Sequence, residues 1–130
     1  MSFADLRKPT GLSRLQLAQD KMSLYSQYIS ERSNESIIES DRGFVSFKRI
    51  DEKSMYMVDM YVVPEHRHLS NAKKMADIVA DIAKRDGCTR LLSSVVPSTN
   101  NATASIKLHI AYGMSVIGAS DDLIMFGKDL

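Results

Sequence analysis

The stretch "VVPEHRHLSNAKKMA", residues 62–76, is where the reading of this fold starts. It opens as the apolar end of a strand, breaks at Pro64, and passes Glu65, His66, Arg67 and His68 before entering a lysine-bearing helix. Proline has no N–H to give a β-ladder, so the strand is expected to stop or splay from its neighbour at Pro64. Ala72, Met75, Ala76, Val79, Ile82 and Ala83 then recur at helical spacing, with Lys73, Lys74, Asp77, Asp81 and Lys84 on the other face. Gly87 ends that helix. "TRLLSSVV", residues 89–96, reads as a buried strand reached by a short connection. Strand, helix and strand in that order make a right-handed βαβ crossover with parallel strands.

Outward from this unit the elements alternate. Upstream, "SMYMVDMYVV" (54–63), "GFVSFKRI" (43–50) and "ESIIES" (35–40) are β-prone runs joined by short polar turns, an antiparallel meander. In the turn "DRG", Gly43 is expected to supply a positive φ. Before the meander, Ser13 and Gln16 have the spacing of a capping box. Leu15, Ala18, Met22, Tyr25 and Ile29 follow on one helical face, predicted to pack on the core. "FADLRKP" reads as a short first strand. Downstream, a helix from about Ala102 to Tyr112 ends at Gly113, and "MSVIGA" and "DLIMFGK" meet at a turn around Ser120 and Asp121. The order is β-α-β-β-β-α-β-α-β-β, an α/β chain with an α+β mixed sheet.

The 130 residues are expected to form one domain over 1–130. No apolar run is long enough for a membrane span, and the N-terminus lacks the apolar core of a signal peptide. Seventeen basic against sixteen acidic residues leave a formal charge of +1, too balanced to indicate nucleic acid. The one cysteine, Cys88, cannot form an internal disulfide, which fits a reducing compartment and a cytoplasmic location. It follows Gly87 at a strand start, where a buried thiol is inert. His66 and His68 with Glu65 suggest a metal site, but a His-x-His pair on a loop lacks a third dependable ligand, so no metal is expected. The eight methionines and the apolar last strand are compatible with a homodimer.

The strand-to-helix junction carries the candidate chemistry. A helix N-terminus presents unpaired N–H groups and about half a positive charge, which suits phosphate. Here the first turn spans Leu69, Ser70, Asn71 and Ala72, preceded by Arg67 and His68 and followed by Lys73 and Lys74. Ser70 and Ala72 are small enough for a ligand to approach the backbone. On these features alone, a polyanion site and an ordinary loop with a solvated basic end both stand.

The order of residues in this junction resembles the acetyl-CoA signature of the GCN5-related N-acetyltransferase (GNAT) family, V-x-P-E-x-R-G-x-G-x-G/A. Val62, Pro64, Glu65, Arg67 and Ala72 are in register, while His68 and Ser70 stand where glycine is usual. "NATASIKLHIAYGM", residues 101–114, is similar to the family's later motif, N-x-x-S-I-x-L-H/Y-x-x-x-G-F, with Ser105, Ile106, Leu108, His109 and Gly113 in register. Ala102 occupies the position of the motif asparagine, and Asn101 sits beside it. The element order agrees with that fold over nearly the whole chain.

The resemblance implies an enzyme that uses acetyl-CoA as co-substrate and moves its acetyl group to an amine. It implies that backbone groups of Met60, Tyr61 and Val62 hold the pantetheine arm and polarise the carbonyl. Arg67, His68, Leu69, Ser70, Asn71, Ala72 and Lys73 would hold phosphates, with Asn101 contributing from the later motif. His109 falls where the family commonly places the tyrosine or histidine that protonates the leaving thiolate. As a plain residue it would simply pack a helix on the sheet. No general base is legible: Asp59 and Tyr61 lie on the opposite strand face from Met60 and Val62, and Tyr56 is expected on the face of Met60. The acceptor, a small-molecule or protein amine, carries no signature. The His68 and Ser70 departures motivate an alternative, a GNAT-fold protein with weak or no catalysis that serves as a protein-binding module.

Overall fold

A computed structural model describes residues 23–130. The strand expected at "FADLRKP" and the helix start at Ser13 lie outside the described residues. Within them the elements run in the expected order: α1 (Leu24–Ser33), β1 (Ser36–Ser40), β2 (Gly43–Asp51), β3 (Ser54–Val62), α2 (Leu69–Arg85), β4 (Arg90–Val95), α3 (Ala102–Ala111), β5 (Ser115–Ser120) and β6 (Leu123–Asp129). A single 3₁₀ turn, Pro64–His66, joins β3 to α2. The six strands form one mixed sheet in the order β1-β2-β3-β4-β6-β5. The β3–β4 pair is parallel, as the crossover requires, and the other pairs are antiparallel.

Sequence chemistry accounts for the stops. Gly87 (φ +85°) and Gly113 (φ +98°) take the left-handed conformation that ends α2 and α3. Beyond them, the Cys88 amide donates to Ala83 O and the Met114 amide to His109 O. Against one sheet face, Ala76, Val79, Ile82 and Ala83 of α2 and Ala102 of α3 pack on Val45, Phe47, Leu91 and Phe126. Val79, Leu91 and Phe126 are fully buried, each contributing about 1.5–3 kcal/mol relative to exposure. Tyr112 ties the two helices by donating its hydroxyl to Asp77 of α2 at 2.8 Å.

α1 lies against the other face, and the apolar stripe is corrected at Tyr25 and Ile29; Leu15, Ala18 and Met22 lie outside the described residues. Tyr25 is exposed and Ile29 only partly covered, while Ser26 is buried. Ser26 Oγ donates to Glu39 of β1, and this hydroxyl holds the Glu39 carboxyl below the usual range. A buried hydroxyl needs such a partner; Gln27, Glu31 and Arg32 of the same helix stay exposed. Ser23 caps α1 by accepting from the Ser26 amide.

Gly43 is also there for a different reason than its turn suggests. Its φ is not positive; a Cβ built on it would sit 2.0 Å from Tyr61 O and 2.9 Å from Val62 Cα. The glycine lets β2 close on the end of β3. Gly43→Ala should force the two backbones apart at a cost of about 1–3 kcal/mol, read as a lower urea midpoint. An unchanged midpoint would show that the strands absorb the methyl.

Candidate active site

The site begins where two strands part. β3 pairs with β4 only over Ser54, Met55 and Tyr56, opposite Arg90, Leu91 and Leu92. Beyond that rung β3 continues to Val62 along β2, while Ser93, Ser94 and Val95 continue along β6. The sheet opens into a V directly after Tyr56, well before Pro64, the expected point. Val63 N–H donates to Arg42 O at 2.8 Å, which makes Gly43/Val62 a non-hydrogen-bonded pair. By alternation Met60 and Val62 turn their peptide groups into the opening, while those of Tyr61 face β2. Tyr61 contributes its ring instead, stacked on Phe44 at 5.9 Å.

A bulge in β3 re-sorts its side chains. Phe47 pairs with Met57 and Ser46 with Asp59, leaving Val58 unmatched. Met57 and Met60 therefore share the core face, and Tyr56, Asp59 and Tyr61 share the other. The expectation that Tyr56 faces the same way as Met60 is overturned. Across the mouth of the V, the Tyr56 hydroxyl hydrogen-bonds Ser94 Oγ. Desolvation raises the Asp59 carboxyl above its ordinary value.

At the outer end of the V the chain turns through Pro64–His66 into α2. Arg67 folds back: its Nε donates to Val62 O at 2.7 Å and its guanidinium lies 5.4 Å from the centre of the Tyr61 ring. That locks the strand end to the loop. His68 is the N-cap of α2, with extended backbone and no side-chain cap bond. Its carbonyl accepts from the amides of Asn71 and Ala72, and among the described residues the Ser70 amide meets no acceptor. Asn71 is buried, and its Nδ2 donates to His66 O at 2.7 Å. Since Nδ2 is a donor, its 3.1 Å contact with His68 Nε2 makes that nitrogen an acceptor. His68 Nδ1 then carries the proton and donates to Ser70 Oγ at 2.6 Å, leaving the Ser70 hydroxyl hydrogen free for another acceptor. Lys73 pairs with Asp77 at 2.8 Å on the exposed helix face. The Leu69 backbone opens the helix.

At the inner end, α3 brings His109 against β4. Nδ1 lies 2.7 Å from Ser105 O, and a carbonyl only accepts, so Nδ1 bears the hydrogen. Nε2 therefore accepts from Ser93 Oγ at 2.8 Å. The ring tilts on Phe126 with centroids 4.6 Å apart. Burial pushes the imidazole below its ordinary pKa, against the smaller opposing effect of the Ser105 carbonyl. Asn101 caps α3 in the left-handed conformation (φ 66°), exposed, with no side-chain cap bond. The structure thus groups Met60, Val62 and Arg67 at one wall, His68 to Ala72 at the outer end, and His109 at the inner end. Lys73 is turned along its own helix. Ser93, Ser94 and the bulge were missed, although two serines inside the apolar run "LLSSVV" are an anomaly that points to them.

The lowered His109 pKa has a sign for stability. The unfolded chain binds that proton first, so the stability is complete above about pH 6.5 and is lost as pH falls through the lower folded value. Between pH 7 and 5 the melting temperature of the native protein should fall more steeply than that of His109→Phe. Parallel curves would show that the imidazole does not resist protonation.

Residues 10–113 match the sequence model of the Acetyltransferase (GNAT) family. The chain belongs to that family. Solved GNAT-fold structures resemble it at low identity. A GNAT acetyltransferase from Elizabethkingia anophelis with acetyl-CoA bound is 14% identical, with a TM-score of 0.65 over 88% of this chain and 86% of that one. The PaiA N-acetyltransferase from Thermoplasma acidophilum, in complex with coenzyme A, is 19% identical with a TM-score of 0.65, covering 82% and 69%. Ard1 from Thermoplasma volcanium is 14% identical with a TM-score of 0.58 over 68% of this chain, which spans 63% of its length. No curated protein matches the sequence. These likenesses are of fold, and the mixed sheet with its split β3–β4 pair is a GNAT sheet. No described helix is long and apolar enough to cross a membrane. Among the described residues, no group of three His, Cys, Asp or Glu side chains is placed to hold a metal ion.

Proposed function

We propose that this GNAT protein is an acetyl-CoA-dependent N-acetyltransferase whose acceptor is an amine, acting by direct attack on the thioester. The observation that carries the reading is the end of β3–β4 pairing at Tyr56 and Leu92, with α2 starting at one end of the opening and His109 at the other. Acetyl-CoA supplies the activated acetyl group and a thiol as leaving group. The peptide groups of Met60 and Val62 hold the pantetheine arm as a β-strand edge holds another strand, and polarise the carbonyl. The Val62 carbonyl is partly spent on Arg67, so Arg67 shapes this wall and keeps the α2 entry fixed.

The α2 first turn, from His68 through Ala72, receives the pyrophosphate at its N-terminal end, where the Ser70 amide is open while those of Asn71 and Ala72 are held by His68 O. The side chains at 68 and 70 leave this compatible with binding: the His68 ring is held by Ser70 and Asn71, and the Ser70 hydroxyl offers a hydrogen. His109 protonates the thiolate from its imidazolium form, the minor one at neutral pH while burial holds its pKa down. On the other sheet face, Asp59 with its raised pKa is the carboxyl β3 offers for the amine proton, beside Tyr56. A panel of small amines, peptide N-termini and lysine peptides, assayed for CoA release and for acetylated product by mass, tests the reading. Acetylation of at least one class is expected. A folded protein that binds acetyl-CoA and acetylates none of them would turn the reading to the binding module.

A further inference from the structure

Within β4, an apolar strand, Ser93 stands at the first position beyond the last β3–β4 rung. It is 6% exposed and gives its hydroxyl hydrogen to His109 Nε2. His109 Nε2 therefore does not face the opening with a free lone pair; a hydroxyl is bonded to it. We propose that Ser93 is the catalytic relay through which His109 delivers its proton to the departing thiolate of the coenzyme. This rests on the acetyltransferase reading above.

With neutral imidazole, Ser93 Oγ donates to Nε2. When Nε2 is protonated, the same oxygen becomes the acceptor, because N–H can only donate. Its own hydrogen then turns away from His109. The unpaired edge of β4 beside Ser93 is the wall of the V, so the released hydrogen has the opening to point into. As the carbon–sulfur bond breaks, the Ser93 O–H bond gives its proton to sulfur and the Nε2–H bond gives one to Ser93 Oγ. Serine is regenerated, neutral imidazole remains, and the sulfur leaves as a thiol. The amine proton departs separately, and solvent returns a proton to His109, so charge and atoms balance. Throughout, the Ser105 carbonyl keeps the Nδ1 hydrogen in place and Nε2 as the nitrogen that changes state.

A merely structural serine would satisfy Nε2 and no more. Ser93→Ala should lower kcat by about 10²-fold, with the acetyl-CoA Kd unchanged. Ser93→Thr, which keeps the hydroxyl, should restore most of the rate. If alanine loosens the core, the Thr and Val variants, isosteric with each other, give the same comparison without a cavity. The double variant with His109→Phe should be no slower than the slower single one, since both break one relay. A ligand-free-rate-independent readout is the ¹⁵N spectrum of the His109 imidazole: adding CoA should shift it in the native protein and leave it unshifted in Ser93→Ala. Native turnover in Ser93→Ala, additive losses in the double variant, or an imidazole that still senses CoA without Ser93 would each overturn the relay while leaving the acetyltransferase reading in place. A native protein that binds CoA in neither assay would overturn both.

Discussion

His109→Phe is expected to fold, to bind acetyl-CoA with little change, and to lose about 10²-fold to 10⁴-fold in kcat, the range for removal of a general acid. The variant keeps an aromatic ring against Phe126 and removes both nitrogens, so Ser105 O and Ser93 Oγ lose their partner. The loss is bounded because a thiol with a pKa of about 8.5 can leave as thiolate unaided, only more slowly. His109→Tyr should regain part of the rate, since a phenol also donates a proton. Turnover of acetyl-CoA by the three proteins, with a melting curve for each, checks this. Full activity in folded His109→Phe would leave His109 as a packing residue that fastens α3 to the sheet.

The largest effect on binding is expected at Ala72. It is half-buried in the first turn of α2, where the proposed reading puts the pyrophosphate. Ala72→Trp should screen the amides there without unfolding a helix whose core face is Ala76, Val79 and Ala83. Losing two charge-assisted hydrogen bonds at about 1.5 kcal/mol each lowers affinity by about 100-fold. Isothermal titration with acetyl-CoA reads the change. Unchanged affinity would place the pyrophosphate elsewhere.

Much of this site is legible in one dimension because its determinants are local. Pro64 ends a strand, Gly87 and Gly113 end helices, and the spacing from Val62 to Ala72 orders a strand end, a loop and a helix start. What escaped depends on partners far along the chain. The bulge at Val58 exists only in the register of β3 against β2, so alternation counted along β3 alone put Tyr56 on the wrong face. Gly43 is required by the carbonyl of Tyr61, not by its own turn. Ser26 is buried with its hydroxyl satisfied by Glu39 of another element, while Tyr25 beside it is left outside. The state of His109 belongs to the same class: Ser105 lies one turn away, but Ser93 comes from another strand. Motif register singled out the histidine; only the fold shows which of its nitrogens bears the hydrogen and which meets Ser93.

The central claim is that acetyl-CoA lies in the V between β3 and β4 with its phosphates on α2. Its most direct measurement is a titration of the ¹⁵N-labelled protein with acetyl-CoA, followed at every backbone amide. The account predicts saturable shifts concentrated at Met60 and Val62, at His68 to Ala72 and at Ser93 to Val95. At a hundredfold excess over Kd, the same ligand should add about 2.7 kcal/mol of stability. Shifts that cluster away from the V, or none at saturating ligand, would contradict it.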